Sequence, residues 1–173
     1  PSDATGWSVS RVALSAKKRS NGGRCEIQVR TVSNAKPAST VLASFPLADT
    51  DLTSDFVWKN FATPGLTGLR TSDSLSIVGR WIAANEACEL QIQDKDPIPA
   101  GAMLYESINA GATWTVRASE ALIFEVYGTI TRPAAATQKG LVYRTLRIRA
   151  TVKAPDTREI ACTIPLLNEP PSP

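Results

Sequence analysis

The sequence predicts an all-β fold, a two-sheet antiparallel β-sandwich, and three observations carry that expectation. The first is a period of two. Over residues 143–153, Leu146, Ile148, Ala150 and Val152 alternate with Arg147, Arg149, Thr151 and Lys153, the signature of a strand with one dry face and one wet face. The second is recurrence: the same alternation returns at Cys25–Thr31 and Cys88–Gln93. The third is punctuation, because turn-forming residues separate short apolar stretches all along the chain, the spacing of sandwiches and barrels.

Taken in order, Trp7–Leu14 reads as the first strand. Lys17–Gly23 follows, and its Asn-Gly and Gly-Gly steps supply the positive φ a hairpin turn needs. Cys25, Ile27, Val29 and Thr31 alternate with Glu26, Gln28 and Arg30, so the first two strands are expected to form a hairpin with a basic tip. Val41–Leu47 is a shorter strand ended by Pro46, and Asp49–Asp55 is a polar loop. Phe56–Phe61 brings three aromatics together ahead of Pro64-Gly65, a turn signal.

Leu75–Ala87 reads two ways. Leu75, Val78 and Ile82 have helical spacing with Ser72 or Asp73 as N-cap, whereas Ile77, Val78, Trp81 and Ile82 are good strand formers and Gly79 weakens a helix by about 1 kcal/mol. The strand is preferred. Cys88–Gln93 alternates again. The prolines at 97 and 99 make residues 94–101 a loop. Met103–Ile108 and Thr113–Arg117 flank a hairpin signal at Asn109-Ala-Gly111. Leu122–Thr131, Leu141–Lys153 and Glu159–Ile164 close the set, with a bulge or corner expected at Gly128. One domain is expected over residues 1–166, large enough to bury roughly 70% of the surface its unfolded chain exposes. Residues 167–173 form a Pro-rich tail, expected to be disordered.

Composition excludes more than it assigns. The chain has no histidine, which removes the usual general base, the Ser-His-Asp triad, the Cys-His dyad and nearly all catalytic zinc sites. Phosphate-cradling, dinucleotide-binding and serine-nucleophile motifs are missing as well. A non-enzymatic protein without cofactor or metal is therefore expected. Asp49, Asp51 and Asp55 repeat acidic residues as calcium loops do, but lack the glycine and closing glutamate of that motif. They read as solvated loop acids. Glu89, Glu120 and Glu125 read as ordinary outward strand residues rather than a glycosidase pair. The net charge of +3 is too small to name nucleic acid as a partner.

Three sets of residues remain as candidate sites. Phe56, Trp58 and Phe61 are the best candidates for an exposed aromatic patch, whereas Trp81 and Trp114 lie in strong strand patterns and are expected in the core. Arg147, Arg149 and Lys153 line one strand face, where cross-strand pairing with Glu26 or Glu89 is the simpler reading than phosphate binding. Cys25, Cys88 and Cys162 sit on the apolar phase of their strands with no C-x-x-C spacing. They are read either as buried thiols acting as small hydrophobes or as one disulfide between two strands with one cysteine left over, and the pairing stays open.

The run Leu122–Thr131 followed by Leu141–Lys153 and Glu159–Ile164 resembles the closing strands of an immunoglobulin-like β-sandwich. A β-rich head of this kind, in a chain that begins at Pro1 rather than Met, is similar to the layout of type IV pilus-related proteins. Their diagnostic apolar helix and its glutamate do not occur in this sequence, so the resemblance transfers no functional residue. It implies an extracytoplasmic place at the cell surface, assembly with other protein subunits, and membrane attachment only through a segment before Pro1. A carbohydrate-binding sandwich using Trp58, and a virion or phage structural protein, are the alternative expectations.

Overall fold

The computed structural model describes residues 4–19, 24–82, 88–93, 104–117, 119–132, 138–141 and 159–164. Among them the chain is all-β. The strands are β1 (Gly6–Lys18), β2 (Arg24–Ser33), β3 (Lys36–Ala48), β4 (Val57–Leu69), β5 (Leu75–Trp81), β6 (Cys88–Leu90), β7 (Ile92–Gln93), β8 (Leu104–Ser107), β9 (Thr115–Arg117), β10 (Ala121–Leu122), β11 (Phe124–Thr131), β12 (Gln138–Leu141) and β13 (Glu159–Ile164), with one 3-10 turn at Asp49–Asp51.

These strands form antiparallel sheets. The first has the order β12-β11-β1-β4, with β6 also paired to β1, and the second has the order β3-β2-β5-β13-β8-β9. One continuous core draws on both. Trp7, Val9, Val12 and Leu14 come from β1, Cys25, Ile27 and Val29 from β2, and Leu75, Ile77 and Trp81 from β5. The alternation read in β2 is the physical basis of this arrangement, since a half-buried strand must turn its apolar phase toward a second layer.

The long β1 organises the first sheet. One of its edges carries β4; the other is shared by β11 along Gly6–Leu14 and by β6 along Ala16–Lys18. The two sharers part at Ser15. There the Ser15 N–H donates to the Ile123 carbonyl (3.4 Å), the Gln91 N–H to the Ser15 carbonyl (2.8 Å) and the Ile123 N–H to the Gln91 carbonyl (2.9 Å). Beyond the fork β7 and β10 pair with each other, so the backbone groups that leave β1 stay satisfied. Gly128 lies against the β1 backbone where register shifts between Val9 and Arg11. A Cβ there would stand 1.8 Å from the Ser8 carbonyl oxygen, so only glycine permits this approach.

Several expectations change. β1 and β2 do not form a hairpin, because both edges of β1 are taken within the first sheet and both edges of β2 are taken by β3 and β5. The hairpin partner of β2 is β3, joined through Asn34 (φ 51°) and Ala35 (φ 60°), a two-residue connection with the positive φ values of a type I′ turn. β3 does not end at Pro46; it runs through both Pro37 and Pro46, which an edge strand tolerates because the missing N–H faces away from the ladder. Pro64-Gly65 is a bulge rather than a turn. Between the pairs Val9↔Leu66 and Arg11↔Ala62, β4 advances four residues while β1 advances two, and the Thr63 hydroxyl donates to the Val9 carbonyl at 2.8 Å. Among the described strands β4 is likewise an edge strand.

The ambiguous Leu75 segment is the strand β5, buried on both faces, with Leu75 and Ile77 in the common core and Ser76 and Val78 buried on the other side. Double burial erases the alternation that marks a half-buried strand, which is why helical spacing competes there in the sequence. The hairpin at Asn109–Gly111 is present, with Ala110 and Gly111 at positive φ. Trp81 is core as expected, but Trp114 is half-exposed. It precedes β9, the outermost strand of the second sheet, beyond which no further strand pairs among the described residues.

Candidate functional site

The three aromatics proposed as one patch separate. In β4 side chains alternate between faces, and Trp58 and Phe61 are an odd number of residues apart, so they point oppositely. Phe61 is buried in the core and packs on Phe45 of β3, ring centroids 5.4 Å apart. Trp58 is 40% exposed on the other face. Phe56, just before β4, lies beneath the Lys17 ammonium, 4.9 Å from its ring centroid, a cation–π contact. Trp58 is therefore the one fully outward member of the set.

The rims of the second sheet carry the other exposed apolar residues. On β3, Val41 (43% exposed) and Leu42 (37% exposed) are adjacent. Among the described strands β3 hydrogen-bonds only β2, so its outer N–H and C=O groups between Pro37 and Pro46 form an open ladder edge. The opposite rim is the β8–β9 hairpin, which exposes Ile108 and Val116. There the Arg117 guanidinium bonds Glu106 Oε2 at 2.6 Å, and this partner raises the Arg117 pKa. Sequence reasoning missed both rims. The signal was present in Pro37 and Pro46, which mark an edge strand rather than a strand end.

Most of the acidic residues weighed for chemistry are engaged in ion pairs or hydrogen bonds, and Asp49 and the Glu89 side chain are largely buried. Asp49 meets Lys18 at 3.4 Å and Glu89 meets Lys17 at 3.0 Å. Asp51 accepts the Ala48 N–H at 3.0 Å. Glu120 lies 3.9 Å from Arg117. Tyr127 donates its hydroxyl to Glu125 at 2.7 Å, a bond that raises the Tyr127 pKa, while Arg11 stacks over the Tyr127 ring at 3.7 Å. Among the described residues no group of three or more potential ligands stands together as a metal site. Glu26, one of the partners expected for the basic strand face, lies 3.8 Å from Arg80 and also accepts from Gln28 and Ser44. Arg147, Arg149 and Lys153 lie outside the described residues, as does the tail 167–173.

Two of the three cysteines meet. Cys25 on β2 and Cys88 on β6 belong to different sheets, yet their sulfurs lie 2.8 Å apart as free thiols, with 1% and 2% of each residue exposed. Trp81, opposite Cys25 in the β2–β5 ladder, donates its indole N–H to the Cys88 carbonyl at 3.2 Å. The bond to Cys25 and then burial push the Cys88 thiol well above its ordinary pKa. Cys162 takes its place in β13 opposite Ile77 and Leu104. No helix among the described residues is long and apolar enough to cross a membrane. Comparison with known protein families, characterised proteins and solved structures finds no match to this chain.

Proposed function

We propose that the protein is a non-enzymatic structural and interaction module of the cell envelope, an immunoglobulin-like two-sheet sandwich that serves as the soluble head of a pilus-like assembly subunit and joins other protein subunits. The observation that carries the reading is the outer rim of β3. It combines a long ladder edge that no other described strand pairs with and the adjacent exposed side chains of Val41 and Leu42. An open edge of this kind is a template for strand addition, in which backbone bonds supply affinity and alternate side chains supply specificity. The second rim at Ile108 and Val116 gives the same sheet an attachment surface on each side, as a subunit within a larger assembly requires.

A photo-crosslinking residue at position 42, in cells that make the protein, tests this reading. It is expected to yield adducts with other protein subunits in the extracytoplasmic fraction, with far fewer adducts from a control position on Asn60. Uncrosslinked protein confined to the cytoplasm would overturn it. The exposed indole of Trp58 favours a second reading, carbohydrate binding through an aromatic platform. Glycan retention that is lost in Trp58→Ala supports it, and retention equal in both proteins, or absent from both, ends it.

A further inference from the structure

Two of the chain's passages between its two sheets lie side by side. β1 ends at Lys18 in the first sheet and β2 begins at Arg24 in the second; β5 ends at Trp81 in the second and β6 begins at Cys88 in the first. These ends adjoin. Lys18 pairs with Cys88 in the β1–β6 ladder, and the Ile82 N–H donates to the Arg24 carbonyl at 3.1 Å. The cysteine sulfurs occupy the interior of this junction.

We propose that Cys25 and Cys88 form a dithiol–disulfide pair that staples the two sheets together, leaving Cys162 outside the bridge. The sulfurs, 2.8 Å apart, need to move less than an ångström to reach the bond length of about 2.05 Å. Cys162 is placed elsewhere by register. Cys25 pairs with Trp81 on one side of β5 and Cys162 with Ile77 on the other. Four residues along a strand and two strand spacings across it separate their Cα atoms by roughly 16 Å, well beyond the 4.4–6.8 Å or so that a disulfide spans. Because the Cys88 sulfur rests against Cys25, the same separation takes Cys162 out of reach of both.

The bridge forms by thiol–disulfide exchange with a small disulfide such as oxidised glutathione. One protein thiol gives up its proton and attacks a glutathione sulfur, forming a mixed disulfide and releasing one glutathione thiolate. The second protein thiol, also deprotonated, attacks the protein sulfur of that mixed disulfide, forming the Cys25–Cys88 bond and releasing the second glutathione. The two protein sulfurs lose two electrons, glutathione disulfide gains them, and the two protons pass to the released thiolates. Both thiols are shut off from solvent, and that of Cys88 resists ionisation in the folded chain. Exchange therefore proceeds while the sheets are apart, during folding or transient opening. The bridge closes a loop of 63 residues and stabilises the fold mainly by restricting the unfolded chain. This assignment stands apart from the assembly reading.

The test refolds the reduced full chain in a glutathione redox buffer, labels it with a maleimide under denaturing conditions and maps the peptides. The expected result is one linked pair of peptides containing Cys25 and Cys88, with a single label, on Cys162. A reductant is then expected to lower the melting temperature of the bridged protein by on the order of 10 °C, and Cys162→Ser to retain both the bridge and that shift. Three labelled cysteines, a bridge that includes Cys162, or a melting temperature indifferent to reductant would overturn the proposal. Because the map is read on the wild-type chain, the result does not depend on any cysteine variant folding.

Discussion

The clasped end around Cys25 and Trp81 and the open rim of β3 belong to the same β3–β2–β5 ladder, yet their surroundings are opposite. At the clasped end every strand has a neighbour on each side or a layer above it: β2 lies between β3 and β5, and Cys88 of the other sheet presses on Cys25. At the rim β3 has, among the described strands, β2 on one side only, and Val41 and Leu42 are exposed. The difference teaches that strand composition alone does not decide role. A Val-Leu pair is core where a second layer covers it and an exposed apolar surface where none does.

Substitutions can break or sharpen this contrast. The largest effect is expected inside. Ile77 is completely buried between the sheets, and Ile77→Ala should cost about 2–5 kcal/mol through lost transfer energy and an unfilled cavity, measured by urea unfolding. A loss under 1 kcal/mol would mean the layers are not closely packed there.

A pH scan of the reduced protein comes next. Because the folded Cys88 thiol ionises at higher pH than an unfolded one, the folded state holds a proton the unfolded state has lost. Stability is therefore full below the unfolded thiol value of roughly 8.5 and falls as pH rises from there toward the folded value. Cys88→Ser and oxidation of the pair should each flatten that part of the curve. A curve unchanged by both would separate the alkaline loss from the sulfur contact.

At the β2–β3 turn, Ala35→Gly relieves a left-handed alanine with φ 60°. It should stabilise by about 0.5–1 kcal/mol after the entropy cost of glycine is subtracted. The smallest stability change belongs to the rim. The double substitution of Val41 and Leu42 by Lys should stay within about 0.5 kcal/mol of wild type, while crosslinking from β3 falls sharply. A large destabilisation would mean that these side chains support the fold rather than a partner.

The sequence made some of this legible and hid the rest for identifiable reasons. Alternation located β2 and β11, and Asn109 with Gly111 located the β8–β9 hairpin, because half-buried strands and tight turns leave local marks. Sheet membership leaves none. Asn-Gly and Gly-Gly before Arg24 look like a hairpin, but β1 and β2 belong to different sheets, and the working turn at Asn34-Ala35 uses an alanine where glycine is usual. β5 was ambiguous because burial on both faces removes the period of two. The odd spacing of Trp58 and Phe61 was enough to assign them to opposite faces, and their nearness in sequence obscured it. The cysteine pairing depends on how one sheet lies over the other, and no single strand records that.

Amide hydrogen exchange tests the contrast most directly. In the isolated protein the amides of β2 and β5 should be strongly protected, while the outward amides of residues 38–45 exchange quickly and slow only when the protein is bound in its native assembly. Equal protection of β3 and β5 in the isolated chain, or β3 amides unchanged by assembly, would contradict the account.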